Sequence, residues 1–356
     1  MAGEAGIKIA NSKANGNSVT ISGNANVTQN VTGGKISNSQ ATTANKNNIT
    51  ISGNAKVGGY VVAADVVAGQ TANGNSLTIS GNANVTGNVL AAHVKNGDEA
   101  NENNVTISGN ANIDGNITGG GSISSSDTGV TTANNNKIAI KDNATVKGYI
   151  TGGDSRKSEG QSNSNQITIG KDVNISGVTK IVGGISKAGY AVKNDINITN
   201  NIASTTTITG GEGNLSTDSN QISITGDING TVIGGKSNRV TATGNTITVT
   251  GKVDGNITGG EGNTSAGNNN IMITGNISTG ANGSGIIIGG KGSMGTATGN
   301  AIQIDGNVSA STTITGGDAK TDANQNTISV GRDVGSEIIG TVIGGKSVEG
   351  TADSNR

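Results

Sequence analysis

Apolar residues in this chain alternate with polar ones and almost never run together. The recurring unit is Asn-x-(Ile/Val/Leu)-x-(Ile/Val): "NSVTI" at Asn17, "NNITI" at Asn47, "NSLTI" at Asn75 and "NNVTI" at Asn103. It returns at Asn136, Asn165, Asn194, Asn220, Asn245, Asn269, Asn300 and Asn326, which makes twelve copies spaced about 28 residues apart. Apolar-x-apolar alternation with β-branched residues predicts a half-buried strand. A second inward pair follows (Ala25/Val27, Ala55/Val57, Ala83/Val85, Ala111/Ile113). A third inward residue stands two before a Gly-Gly pair (Val31, Ile117, Ile150, Ile181, Ile208, Val232, Ile257, Ile287, Ile314, Val342). Each unit therefore predicts three short strands.

Parity strengthens this. From the first apolar residue to the first Gly, or to Ala63 and Ala91 at the same place, the spacing runs 14, 14, 14, 14, 14, 16, 14, 12, 12, 18, 14 and 16. Every value is even. Strand side chains alternate with period two, so an odd change would turn the later core positions to solvent. Between Gly-Gly and the next strand the spacing mixes odd and even, which predicts a loop on one side of a stack. The fold class expected is all-β: a single-stranded parallel β-helix, or β-solenoid, of about twelve rungs rising ~4.8 Å each. It is expected as one continuous solenoid over 1–356, a segment of a longer protein at both ends. Over 205–356 a two-rung superrepeat is superimposed.

Composition fits a thin stacked core. Among 356 residues there are 61 Gly, no Pro, Cys, Trp or Phe, and one His. Pro is excluded where almost every strand N–H must bond a neighbouring rung, and a thin core has no room for large aromatics. A net charge of −1 gives no electrostatic case for nucleic acid or an anionic membrane. No apolar stretch suggests membrane insertion, and residues 1–20 hold no export signal.

The Asn two before each first inward residue is expected to point inward, at a corner, as a structural ladder bonding rung to rung. The Gly-Gly pairs open no helix, so they are not phosphate cradles, and "GGEGNLSTD" lacks the Asp of calcium β-roll repeats. Instead the first Gly is expected at a narrow corner and the second at positive φ. The next residue alternates in sign: Glu212, Lys236, Glu261, Lys291, Asp318, Lys346. Stacked at rung spacing these form a charge column that disfavours one-rung slips. The residue before the pair alternates too. Ile233, Ile288 and Ile343, with Val182, are expected to face outward, either as a contact row or under a covering loop. Thr20/Ser22, Thr50/Ser52, Thr78/Ser80 and Thr106/Ser108 predict an outward hydroxyl column, similar to the threonine arrays of ice-binding proteins. With His93 as the only His, with Arg156, Arg239, Arg332 and Arg356 far apart, and with Asp154 and Glu159 on one loop lacking an evident partner, no catalytic, metal or cofactor site is expected.

The Asn-x-(Ile/Val)-Thr-Ile-(Ser/Thr)-Gly and (Val/Ile)-x-Gly-Gly pattern resembles the passenger regions of bacterial autotransporter and filamentous-haemagglutinin-like surface proteins. That resemblance, in repeat style across the whole chain, implies a right-handed helix and an extracellular or cell-surface location. It also implies a structural or adhesive role toward a host-cell or matrix surface molecule, or another bacterial surface protein. Contact would come through the loops at 121–136 and 154–164 or an exposed column. The alternatives are an ice-binding face, or a polysaccharide-binding or polysaccharide-cleaving β-helix.

Overall fold

The alternating segments fold as strands that pair with their own repeats one coil away. A computed structural model describes residues 4–5 (backbone only), 13–37, 43–67, 70–121, 131–278, 285–331 and 337–356. It is all-β, with parallel strands and no helix among the described residues. The coils form a β-solenoid of about 11 turns, about 28 residues apart. The twelve Asn-led strands expected from the sequence are all present and bound those turns. By internal contacts the chain divides into two compact units, 1–190 and 191–356.

In the first unit the Asn-led strands are Ser18–Ile21, Asn48–Ile51, Ser76–Ile79, Asn104–Ile107, Lys137–Ile140 and Gln166–Ile169. They pair in register without slip, for example Val19↔Ile49 and Ile49↔Leu77. Two-residue second strands pair likewise from Asn26–Val27 to Thr145–Val146. The third strands carry an unbroken inward column, Val31, Val61, Val89, Ile117, Ile150 and Ile181, each at most 5% exposed. Each such side chain contributes about 1.5–3 kcal/mol on burial, so a one-residue slip, which would expose a whole row, is strongly disfavoured.

The second unit repeats the plan from Asp195–Ile198 to Thr327–Val330. Its second strand shrinks to single bridging residues, Ile202, Ile228, Val253, Ile277, Val308 and Ile338. Here the even insertions and deletions seen in the sequence are absorbed while both flanking columns stay inward. Val342, on the outermost coil and covered from one side, is 45% exposed.

The corner differs from the sequence expectation in two respects. Neither residue of any corner Gly-Gly pair has positive φ, although Gly121, directly after the Gly119–Gly120 pair, does (125°). The left-handed residue lies instead just before each ladder Asn: Gly16, Lys46, Gly74, Glu102, Asn135 and Ser164 in one unit, Lys193, Ser219, Gly244, Asn268, Gly299, Gln325 and Ser354 in the other, all between 55° and 69°. Glycine is required at the pair by close approach. A Cβ on Gly210 would lie 2.7 Å from Asn220 Cβ and overlap the carbonyl oxygen of Gly234 in the next coil. A Cβ on Gly211 would overlap the carbonyl oxygen of Ala191.

Nor does the strand end at the pair. In the first unit it runs on to Ile36, Val66 and Val94, which pack with Ala14, Ala44, Ala72, Ala100 and Ala133 as a second small core beyond the Asn corner. Part of the segment read as loop is thus core. The row expected to face outward is also largely covered: Val182 is 0% and Ile233 6% exposed, with Ile288 and Ile343 half-buried. Ile233 stacks between Thr209 and Thr258, both buried too. The column is thus buried at Thr209, Ile233 and Thr258 and half-buried at Ile288 and Ile343, so it does not form a fully exposed apolar stripe.

Candidate functional site

The most regular polar arrangement is the Asn ladder. Asn47, Asn75, Asn103, Asn136, Asn165, Asn194, Asn220, Asn245, Asn269, Asn300 and Asn326 are buried, and Asn17 is half-buried. Within each unit the backbone N and the Nδ2 of one Asn both donate to the Oδ1 of the next. Asn75 gives two bonds of 2.9 Å to Asn103, and Asn220 gives two of 3.0 Å to Asn245. The second Nδ2 hydrogen goes to the carbonyl three residues back, as in Asn220 to Thr217 at 2.9 Å and Asn326 to Ala323 at 3.0 Å. Asn355 joins the ladder by accepting from Asn326 N and Nδ2. The side chain thereby has both donors and its acceptor oxygen engaged, which a buried amide requires.

A second ladder, not anticipated, runs outside it with opposite polarity. Asn45 N donates to Asn15 Oδ1 and Asn73 N to Asn45 Oδ1, each at 2.7 Å, continuing through Asn101, Asn134 and Asn163. In the second unit Asp218 and Asn324 take the same part. The "AN-x-N" spacing of these coils was its signal.

The charge column is assembled as a continuous register: Glu212↔Lys236, Lys236↔Glu261, Glu261↔Lys291, Lys291↔Asp318 and Asp318↔Lys346. Lys236 Nζ lies 3.3 Å from Glu261 and Lys346 Nζ 3.8 Å from Asp318. In the first unit the equivalent position pairs His93 Nδ1 with Asp65 Oδ1 at 2.9 Å. Exposed pairs contribute about 0–1 kcal/mol. Replacing Lys236 with Glu sets like charges opposite both Glu212 and Glu261, so the urea midpoint should fall modestly at low salt and recover at 1 M NaCl, where screening is short-ranged.

Two carboxylates titrate low. The Lys147 ammonium, 2.7 Å from Asp114, holds that carboxyl below its ordinary value against a small opposing effect of burial, helped by Asn112. For Asp254, burial pushes the pKa up, but hydrogen bonds from Lys252 at 2.8 Å and from the Ser278 hydroxyl outweigh it and leave it lowered. A depressed folded-state pKa gives stabilisation that is present above about pH 3.9 and lost as pH falls through the lower folded value. Lys147→Ala should therefore move the NMR titration midpoint of Asp114 upward, and weaken the fold slightly at pH 7 but not in acid below the folded-state value.

The expected hydroxyl column is in register, with Thr20↔Thr50, Thr50↔Thr78 and Thr78↔Thr106, and is interrupted at Ala139. Of the two loops singled out, most of 121–136 lies outside the described residues. The other, 154–164, is bound down: Ser155 and Ser162 are buried, and Gly160 O accepts from Ser186 Oγ at 2.7 Å. Asp154 has a partner in Arg156, whose Nε and a terminal nitrogen reach its two oxygens at 3.1 and 2.7 Å. Arg332 lies outside the described residues. Among the described residues no three His, Asp or Glu side chains group as metal ligands. No protein-family model, curated protein or solved structure matches the chain.

Proposed function

We propose that this chain is a structural and adhesive segment of a bacterial cell-surface or secreted protein, attaching to a host-cell or matrix molecule or to another surface protein. The observation that carries this reading is the in-register repetition of outward rows along the strands. Thr20, Thr50, Thr78 and Thr106 stack at strand spacing, and so do the alternating charges from Glu212 to Lys346. The threonine row, with Thr20 exposed and Thr50, Thr78 and Thr106 half-buried, presents one chemistry four times over, which suits weak multivalent attachment. The buried polar groups, in contrast, are consumed by the ladder that holds the coils together. The resemblance of the repeat to surface passenger regions agrees with it. Beads coated with the purified chain should bind cultured epithelial cells or immobilised matrix proteins saturably, and soluble chain should compete. Attachment no greater than that of albumin-coated beads on every surface would contradict the adhesive role.

A further inference from the structure

Beyond the stacked rows, one concave feature in the first unit joins groups that the ladder does not require. It is a cleft of about 180 Å³ over the third strands, lined among others by Asn116, Thr118, Tyr149, Thr151, Asp154 and Arg156. At about 30 Å³ per water it holds on the order of six waters, the space of one hexose. Tyr149 lines it and is 51% exposed. Asn116 Oδ1 is engaged by Tyr149 N at 2.8 Å, which fixes the backbone that carries the ring. Thr118 and Thr151 are register partners in adjacent coils, so their side chains share one face at strand spacing. The Asp154–Arg156 pair closes one side with a planar, doubly bonded array.

We propose that this cleft is a saccharide subsite, taking one pyranose ring of an oligosaccharide. A pyranose has an apolar C–H face and a rim of hydroxyls that both donate and accept. Tyr149 offers the matching flat apolar face. Threonine hydroxyls and the Asn116 amide supply donors and acceptors, and the Asp154–Arg156 pair supplies both kinds side by side. Purely apolar ligands would leave these polar groups dry, and a phosphate would meet the Asp154 carboxylate. The subsite rests on the attachment reading for its biological sense, as the chemistry that attachment would recognise.

The test uses the full chain and soluble sugars, without cells, so its failure leaves attachment through other surfaces separately measurable. Saturation-transfer NMR and titration are run with cellotriose, maltotriose, mannotriose, triacetylchitotriose and, because Lys180 also lines the cleft, trigalacturonate. At least one should bind with a dissociation constant of about a millimolar, as a single shallow subsite allows. Tyr149→Ala should weaken it on the order of tenfold, and the near-isosteric Thr151→Val several-fold. Tyr60→Ala, an equally exposed tyrosine that does not line the cleft, should leave binding unchanged and controls for folding. Absence of binding across the panel at 10 mM, or binding that Tyr149→Ala leaves intact, would overturn the proposal.

Discussion

Replacing Asn245 with Ala should destabilise the second unit by about 3–5 kcal/mol, a substantial fraction of a typical domain's stability of about 5–15 kcal/mol. The side chain is buried, and its Oδ1 is the acceptor for both Asn220 N and Asn220 Nδ2 at 3.0 Å. Its own Nδ2 reaches Asn269 Oδ1 at 3.0 Å. Alanine leaves two buried donors on Asn220 with no acceptor, at about 1–3 kcal/mol each, and opens a void where no neighbour can move in. The half-buried Asn17 is a built-in comparison, since among the described residues no Asn donates to it and Asn17→Ala removes the acceptor of no described buried donor. Its cost should be about 1 kcal/mol. Urea denaturation measures both. Hydrogen exchange should show the Asn220 amide losing protection, because loss of a rung interface in a repeat protein opens its neighbours first.

The second large effect is steric. A Cβ on Gly290 would overlap the carbonyl oxygen of Ala266 and stand 2.8 Å from both Asn300 Nδ2 and Oδ1. Backbone on one side and a saturated amide on the other leave no flexible end to yield. Gly290→Ala should cost about 3 kcal/mol or more, or prevent the coil from closing. Gly120→Ala, at the same place in another coil, should cost about 1–2 kcal/mol. There the ladder amide is as close, with Asn136 Oδ1 at 2.7 Å, but the added carbon would lie 2.5 Å from Ala100 O, a milder backbone approach than at Gly290, and the register partner one coil back is already Ala92. Thermal melting of the two variants orders them. Equal melting points would show that the pair is glycine for some reason other than close approach.

Much of this fold was legible because strand alternation punishes odd changes. The spacings of 12 to 18 residues between the first inward residue and the corner differ only by twos, and at the longest of them Ile271 and Ile287 both stay inward. The ladder was legible for the same reason: an Asn at inward parity in every coil has no use but to bond its own repeats. What escaped detection depended on backbone conformation, which residue type reports poorly. Lys46, Glu102, Lys193 and Gln325 occupy the left-handed region as fully as Gly16 or Asn268 does. The ladder bonds that follow hold them there against a cost of about 1–2 kcal/mol each. Glycine at the corner signalled freedom of φ when its actual role was to let Asn and a carbonyl approach. The burial of Thr209 and Ile233 and the pairing of Asp154 with Arg156 were not visible either, because both depend on how the chain bends at that corner.

The solenoid requires parallel, in-register stacking with one coil per repeat. The chain has no cysteine, so thiols can be placed at will. Thr78 and Thr106, 28 positions apart in sequence, are register partners on an outward face, and Asn104 neighbours Thr106 on the same strand and same side. The Thr78→Cys/Thr106→Cys protein should form an intramolecular disulfide readily under mild oxidation, as Cα atoms one strand spacing apart permit. Thr78→Cys/Asn104→Cys, a diagonal pair at about 7–8 Å, should remain largely reduced. Preferential cross-linking of the diagonal pair, or no difference between the two, would contradict the register on which the whole account rests.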